Sequence, residues 1–295
     1  MSKREKKSLY RKLVPKFIRR SISDISRKKL IFDYYNALPE SEINSEEVEA
    51  LTYLKKHRLC VFPYSFQDKY KRKDVEVFKD EKLNLKYILF EGKRLYFKRK
   101  SSFRGIRRNY TNLLLEQDLN SPHRYLTDDF DISENDILVD VGSAEGNLPL
   151  AVIEKVKKVY LFETDENWLE PLRATFAPWK DKVEIINKFV SDKNDENHTT
   201  LEEFFKDKEH FNVLKIDAEG AESDILKGGE KILSEQKSMK VLICCYHKPN
   251  DEKEFNLFFK KHNFATACSN GYMIFTDPKT FFPPYLRRGV MRARK

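Results

Sequence analysis

Asp217 ends the apolar run Val213–Ile216 in the stretch Lys215-Ile216-Asp217-Ala218-Glu219-Gly220-Ala221-Glu222, so carboxylates crowd one strand-to-helix junction. An acid at a helix start is favoured by the helix dipole, which accounts for Glu222. It does not account for Asp217, which precedes the helix. His247 closes another apolar run and is suited to take a proton from a hydroxyl. Asp217 and His247 are therefore the candidate catalytic pair. Asp217, Glu219 and His247 could alternatively hold a divalent metal, since hard cations take carboxylate oxygens and tolerate imidazole.

A second constellation promises ligand binding. In Asp136-Ile137-Leu138-Val139-Asp140-Val141-Gly142-Ser143-Ala144-Glu145-Gly146 a buried strand runs into a tight glycine turn that opens a helix. Glu163 stands 21 residues after Gly142, at the end of the run Val159–Phe162. In a doubly wound sheet both ends face one crevice, where glycines admit a nucleotide-like ligand and the carboxylate binds its ribose. The middle glycine of a dinucleotide fingerprint is missing. Ala144 and Glu145 would obstruct and repel a pyrophosphate, so a ligand with a ribose and a cationic centre fits better. S-adenosylmethionine is such a ligand, although a plain strand, turn and helix would use the same glycines.

The elements that must position these groups begin at Asp136. Strands are expected at 137–141, 158–163, 183–187, 212–217 and 240–246, and helices near 146–156, 166–176, 199–207, 221–236 and 251–262. The alternation predicts a mostly parallel sheet with helices on both faces. A closing hairpin is expected between Thr266–Cys268 and Tyr272–Phe275, turned at Asn270-Gly271. Five parallel strands and a terminal antiparallel hairpin match a class I methyltransferase sheet, which is Rossmann-like. Before it, Glu40 to His57 reads as helix, and 86–90 with 94–97 as a hairpin. The polar stretch 116–125 is a candidate cap over the ligand or the substrate. The expected division is a basic amphipathic segment over 1–30, an α+β extension over 31–130 that could form a substrate lid, and a cofactor-binding domain over 131–295.

Composition narrows the partners. The net charge is +9, yet residues 1–30 alone hold twelve Lys/Arg against Glu5 and Asp24, so the rest is close to neutral. A second basic cluster, Arg287, Arg288, Arg292, Arg294 and Lys295, ends the chain. Segment 1–30 has roughly helical apolar spacing, restarting at Pro15, and could lie on an anionic membrane surface. Four scattered cysteines show no zinc spacing and read as reduced thiols. With no apolar span and no signal sequence, the expectation is a cytoplasmic protein, peripheral to a membrane at most.

These residues resemble the FkbM family of S-adenosylmethionine-dependent methyltransferases. The resemblance rests on Val139-Asp140-Val141-Gly142-Ser143-Ala144-Glu145-Gly146, on Phe162-Glu163, and above all on Lys215 to Glu222. Ser121-Pro122-His123-Arg124-Tyr125 and Pro284-Tyr285-Leu286-Arg287 extend it over roughly 110–290. It implies methyl transfer to a hydroxyl oxygen of a sugar, a polysaccharide precursor or a secondary metabolite. Gly142 and Gly146 would flank the methionine moiety of the cofactor, with Asp140, Ser143 and Glu145 in the same turn. Glu163, with Thr164, would hold the ribose, Asp192 would face the adenine edge, and Asp217 would border cofactor and substrate alike. The family usually has Asn where Glu145 stands. Rival readings are a nucleic-acid methyltransferase, disfavoured by the neutral body, and a non-catalytic cofactor- or glycan-binding module.

Overall fold

The computed structural model describes residues 16–295. The expected amphipathic reading of residues 1–15 lies outside the described residues, and from Lys16 to Asn36 the chain is one helix. A second helix, Ser45–Lys56, starts from an Asn44–Glu47 capping box, in which each side chain accepts a backbone N–H of the other residue. Three antiparallel strands follow: β1 (Phe78–Asp80), β2 (Leu85–Phe90) and β3 (Lys93–Phe97), the last two being the expected hairpin. The helix Phe103–Glu116 leads into the main sheet.

That sheet is built from β4 (Ile137–Val141), β5 (Lys158–Phe162), β6 (Val183–Ile186), β9 (Val213–Ile216), β10 (Lys240–Cys244), β11 (Ala265–Cys268) and β12 (Val290–Arg294). The short pair β7 (Phe189–Val190) and β8 (His198–Thr199) lies apart from it. The spatial order is β11-β12-β10-β9-β4-β5-β6. β6, β5, β4, β9 and β10 run parallel, while β12 lies antiparallel between β10 and β11. Strands covered on both faces need continuous apolar runs, as β4 and β10 have. On one face Val139, Tyr160, Leu214 and Ile243 pack with Phe205, Phe255 and Phe259. On the other, Leu138, Leu161 and Val213 meet Ile106, Leu150 and Leu172, while Leu242 and Val290 meet Ile31, Tyr35 and Leu54. This is the class I methyltransferase sheet with its antiparallel seventh strand.

Two expected elements are corrected, the closing hairpin and the helix over 221–236. β11 pairs with β12 and not with Tyr272–Phe275, where only Met273 forms an isolated bridge to Arg287. Three of the terminal arginines are engaged within the fold. Arg287 is buried and donates to the carbonyls of Tyr246 (2.9 Å), His247 (3.2 Å) and Pro284 (3.1 Å). Arg292 donates to Tyr125 O at 2.8 Å, and Arg288 pairs with Glu46 at 2.6 Å. The helix expected over 221–236 is two, Glu222–Lys227 and Glu230–Glu235, broken at Gly228-Gly229. Among the described residues, no helix is long and apolar enough to cross a membrane.

Candidate active site

The parallel register sets Asp140 of β4 directly beside Lys215 of β9. Both are buried, and the Lys215 ammonium lies 2.9 Å from Asp140 Oδ1 while donating to Gly142 O at 2.7 Å. Burial opposes its charge, but Asp140 and Asp217 outweigh that and raise the ammonium's pKa. Lys215 thus ties the end of β4 to the motif that follows β9.

Gly142 follows β4 at φ +77°, and a Cβ there would lie 1.9 Å from the Asp217 carbonyl oxygen. Only glycine lets the two turns touch. Gly142→Ala is therefore expected to lower stability by more than about 2 kcal/mol, since a left-handed residue alone costs roughly 1–2 kcal/mol before the clash. Thermal unfolding within a degree of wild type would contradict the close approach. Ser143 is buried and donates to Asp140 O at 2.9 Å, a support for the turn. Gly146, also at φ +77°, starts the helix Asn147–Val152.

At the end of β5, Glu163 accepts the N–H of Ala144 and of Asp165, each at 2.7 Å. The carboxylate therefore fixes the glycine turn. Thr164 is exposed, and its carbonyl accepts from Asn187 at 3.3 Å. Asp192 is exposed on the loop after β7, where Ser191 packs against Gly228.

The Asp217 carboxylate is the meeting point. Tyr125 donates to Oδ2 at 3.0 Å and Tyr246 to Oδ1 at 3.2 Å. His123 Nε2 lies 3.8 Å away and His247 Nε2 3.7 Å away. Burial would raise this carboxyl, but Lys215, the two imidazoles and the Tyr125 hydroxyl hold it down to about 2. His123 is pushed down to about 4 by burial, so it is neutral. An Nε2–H tautomer lets it donate to Tyr246 Oη at 3.3 Å, while Nδ1 has no partner among the described residues.

His247 is buried, with Nδ1 3.0 Å from Glu222 Oε1. Burial lowers its pKa, but Glu222, Asp217 and Glu219 together turn the balance and raise it. Glu222 also accepts the N–H of Ala218 (2.9 Å) and of Gly220 (3.2 Å), curling the loop so that Glu219 sits at φ +52°. The donors that converge for a cation differ from the expected set. Asp217, Glu222 and His247 approach within 4.8 Å of one another, whereas Glu219 projects outward with its side chain 86% exposed and 3.7 Å from His247.

Sequence reasoning assigned roles to Asp217, His247, Glu163 and the glycine turn, and the structure sets these beyond the carboxyl ends of the neighbouring parallel strands β10, β9, β4 and β5. It left Lys215 and Tyr246 without roles, and gave His123 and Tyr125 only a share in a cap over ligand or substrate. The polar cluster before β4 was the available signal for His123 and Tyr125, and this segment does fold over the end of β9.

The family description "Methyltransferase FkbM domain" matches residues 86–272. The chain belongs to this methyltransferase family. No curated protein matches it. Among solved structures it is similar to methyltransferase FkbM from Methylobacillus flagellatus, at 18% identity and TM-score 0.43 over 55% of this chain and 44% of that one. The chain therefore spans less than half the length of that relative. A putative tRNA (m1A22) methyltransferase from Streptococcus pneumoniae, in complex with S-adenosyl-L-methionine, is similar at 16% identity and TM-score 0.36, over 55% of this chain and 66% of that one. A putative Streptococcus mutans methyltransferase in complex with SAH is similar at 18% identity and TM-score 0.35, over 64% and 97%.

Proposed function

We propose that the protein is an S-adenosylmethionine-dependent O-methyltransferase acting on a hydroxyl of a sugar, a polysaccharide precursor or a secondary metabolite. The observation that carries the reading is Asp217, a carboxylate at the crevice tied to two tyrosine hydroxyls and touching a buried His–Glu pair, beside a turn that only glycine can form. The residues at the strand ends fit the cofactor. Glu163 offers carboxylate lone pairs to ribose hydroxyls, and Gly142 and Gly146 border the methionine end. When bound, S-adenosylmethionine supplies a methyl group on a positively charged sulfur.

The chain's own task is to hold the acceptor in line and to receive its proton. Asp217 is the more exposed of the pair, its side chain 21% accessible against 3% for His247. Asp217 therefore accepts the hydrogen bond of the incoming hydroxyl. A carboxyl held near 2 does not keep a proton at neutral pH, so the proton ends on His247, whose cationic form Glu222 stabilises. A divalent cation on Asp217, Glu222 and His247 would have to use Glu222 Oε2, which has no partner among the described residues, because Oε1 already accepts two backbone N–H bonds.

Calorimetric titration with S-adenosylhomocysteine tests the cofactor half of the reading. Wild type is expected to bind, and Glu163→Gln to bind at least about tenfold more weakly, losing charge-assisted bonds worth about 1.5–3 kcal/mol each. Wild-type protein that gives no heat would remove the cofactor. Methyl transfer from labelled donor to a panel of glycan precursors, with RNA as the contrasting acceptor, tests the other half.

A further inference from the structure

β11 is the outermost strand of the main sheet, and among the described residues its far side pairs with nothing. An open edge invites another strand, so natural sheets guard it with charge, proline or a bulge. The two edge strands here have four residues each, but they are guarded unequally. β6 carries Glu184, engaged with Lys158 at 3.7 Å and Lys208 at 3.1 Å. The run Phe264-Ala265-Thr266-Ala267-Cys268-Ser269 holds no charge and no proline.

The ladder fixes which groups are open. Ser269 N–H donates to Val290 O at 2.8 Å, one step beyond the pair Cys268–Met291. Peptide groups alternate in direction along an antiparallel strand, so Ala265, Ala267 and Ser269 bond to β12. Thr266 and Cys268 therefore turn their N–H and C=O groups outward. Side chains alternate between faces as well. Ala265 and Ala267 stand beside Arg294 and Arg292 and border a groove of about 720 Å³. Thr266 and Cys268 lie on the other face, beside Ala293 and Met291, and a second groove of about 260 Å³ flanks the same strand.

The larger groove carries opposite charges at its two ends. Past the carboxyl end of β11, Gly271 N–H donates to Glu46 at 2.6 Å, and Glu49 follows one turn along the helix Ser45–Lys56. Glu49 is exposed and forms no ion pair among the described residues. At the amino end stands Arg294, exposed and opposite Ala265. It donates to Asp129 O at 3.0 Å and pairs with no carboxylate among the described residues. The Asp129 carboxylate is occupied by Thr127 Oγ1 at 2.7 Å.

We infer that β11 pairs antiparallel with β11 of a second copy of this chain, across a two-fold axis at Ala267, so that two seven-stranded sheets become continuous. In that register Thr266 of each copy meets Cys268 of the other, and the outward peptide groups of both close main-chain hydrogen bonds. Ala267 meets its twin in the close pair between those bonds, with Cα atoms about 4.5 Å apart, a spacing that suits a small side chain. The axis also lays the Glu49 end of one copy beside the Arg294 end of the other, on the same face and twice over. One surface is thus complementary to itself, as a two-fold interface requires. The interface abuts the segment that carries His123 and Tyr125, because Ser269 Oγ bonds to Pro122 O and Arg292 to Tyr125 O.

The test is sedimentation equilibrium of the full chain at low salt, from low to high micromolar concentration. Wild type is compared with Ala267→Lys, Glu49→Lys, Arg294→Glu and the double variant Glu49→Lys/Arg294→Glu, each checked by circular dichroism. Wild type is expected to dimerise, and Ala267→Lys to stay monomeric because like charges would meet on the axis. Each single charge reversal should weaken the dimer at least about fivefold, and the double variant should return to within about twofold of wild type. Should Ala267→Lys fail to fold, the reversal series decides alone. Wild type that stays monomeric at every concentration overturns the pairing and leaves the edge to an extended peptide of another protein. A dimer that ignores Ala267→Lys, or a double variant no stronger than the single reversals, overturns this interface.

Discussion

Asp217→Asn is expected to lower methyl transfer about a thousandfold while leaving S-adenosylhomocysteine affinity within a few-fold of wild type. Positioned proton transfer contributes roughly 10²–10⁴ in rate, and asparagine keeps the shape of the contact while losing the charge. Tyr125 and Tyr246 donate to different oxygens, so the amide keeps one of these bonds and the other hydroxyl must turn to accept from the NH2 group, a change the hydroxyl rotor allows. The His247 imidazole must be neutral to receive the proton. Its pKa is raised, so turnover should climb with pH through a value above the ordinary histidine range. Labelled-donor assays across pH check both statements. Turnover of Asp217→Asn within tenfold of wild type would assign the chemistry to another residue.

Lys215→Met is expected to destabilise the protein by about 3–5 kcal/mol, the usual cost of removing one partner from a buried ion pair. The ammonium is the buried countercharge of Asp140, beside which the strand register sets it, and it also holds the Gly142 carbonyl at 2.7 Å. Without it, Asp140 is a buried charge with no cation, and Asp217 loses the largest influence that keeps it ionised. Lys215→Met combined with Asp140→Asn should recover much of the loss, because the orphaned charge goes too. Urea unfolding of the single and double variants measures this. Equal loss in both would mean that packing, and not charge, is what Lys215 supplies.

The parts of this site legible in the sequence are those carried by strand ends. Val139 to Gly146, Phe162-Glu163 and Ile216-Asp217 each announce a buried run that stops at a polar residue, and a parallel sheet brings such ends to one side. Lys215 was hidden because a lysine inside a strand gives no sign of the strand that will lie beside it. His123 and Tyr125 arrive from a loop of more than ten residues between the helix Phe103–Glu116 and β4, whose path no periodicity encodes. β12 was missed for a different reason. Val290-Met291-Arg292-Ala293-Arg294 looks like a charged tail until Arg292 is seen donating to the carbonyl of Tyr125. Conversely Tyr272–Phe275 is apolar enough for a strand, yet it packs in the core beneath the N-terminal helices without joining a ladder.

The position of β12 has a consequence for cooperativity. Among the described residues β11 has no hydrogen-bonded neighbour in the sheet other than β12, and β12 fills the gap between β11 and the parallel strands. Detaching β12 therefore also strips β11 of its ladder, so β11 cannot protect its amides longer than β12 stays paired, and the two leave as one unit when β12 opens. Arg287 and Arg292 lie at and within that unit and are bonded to the carbonyls of His247 and Tyr125. Its opening would loosen the segments that carry the histidine and one of the tyrosines around Asp217, which couples the lifetime of this sheet edge to the Asp217–His247 arrangement.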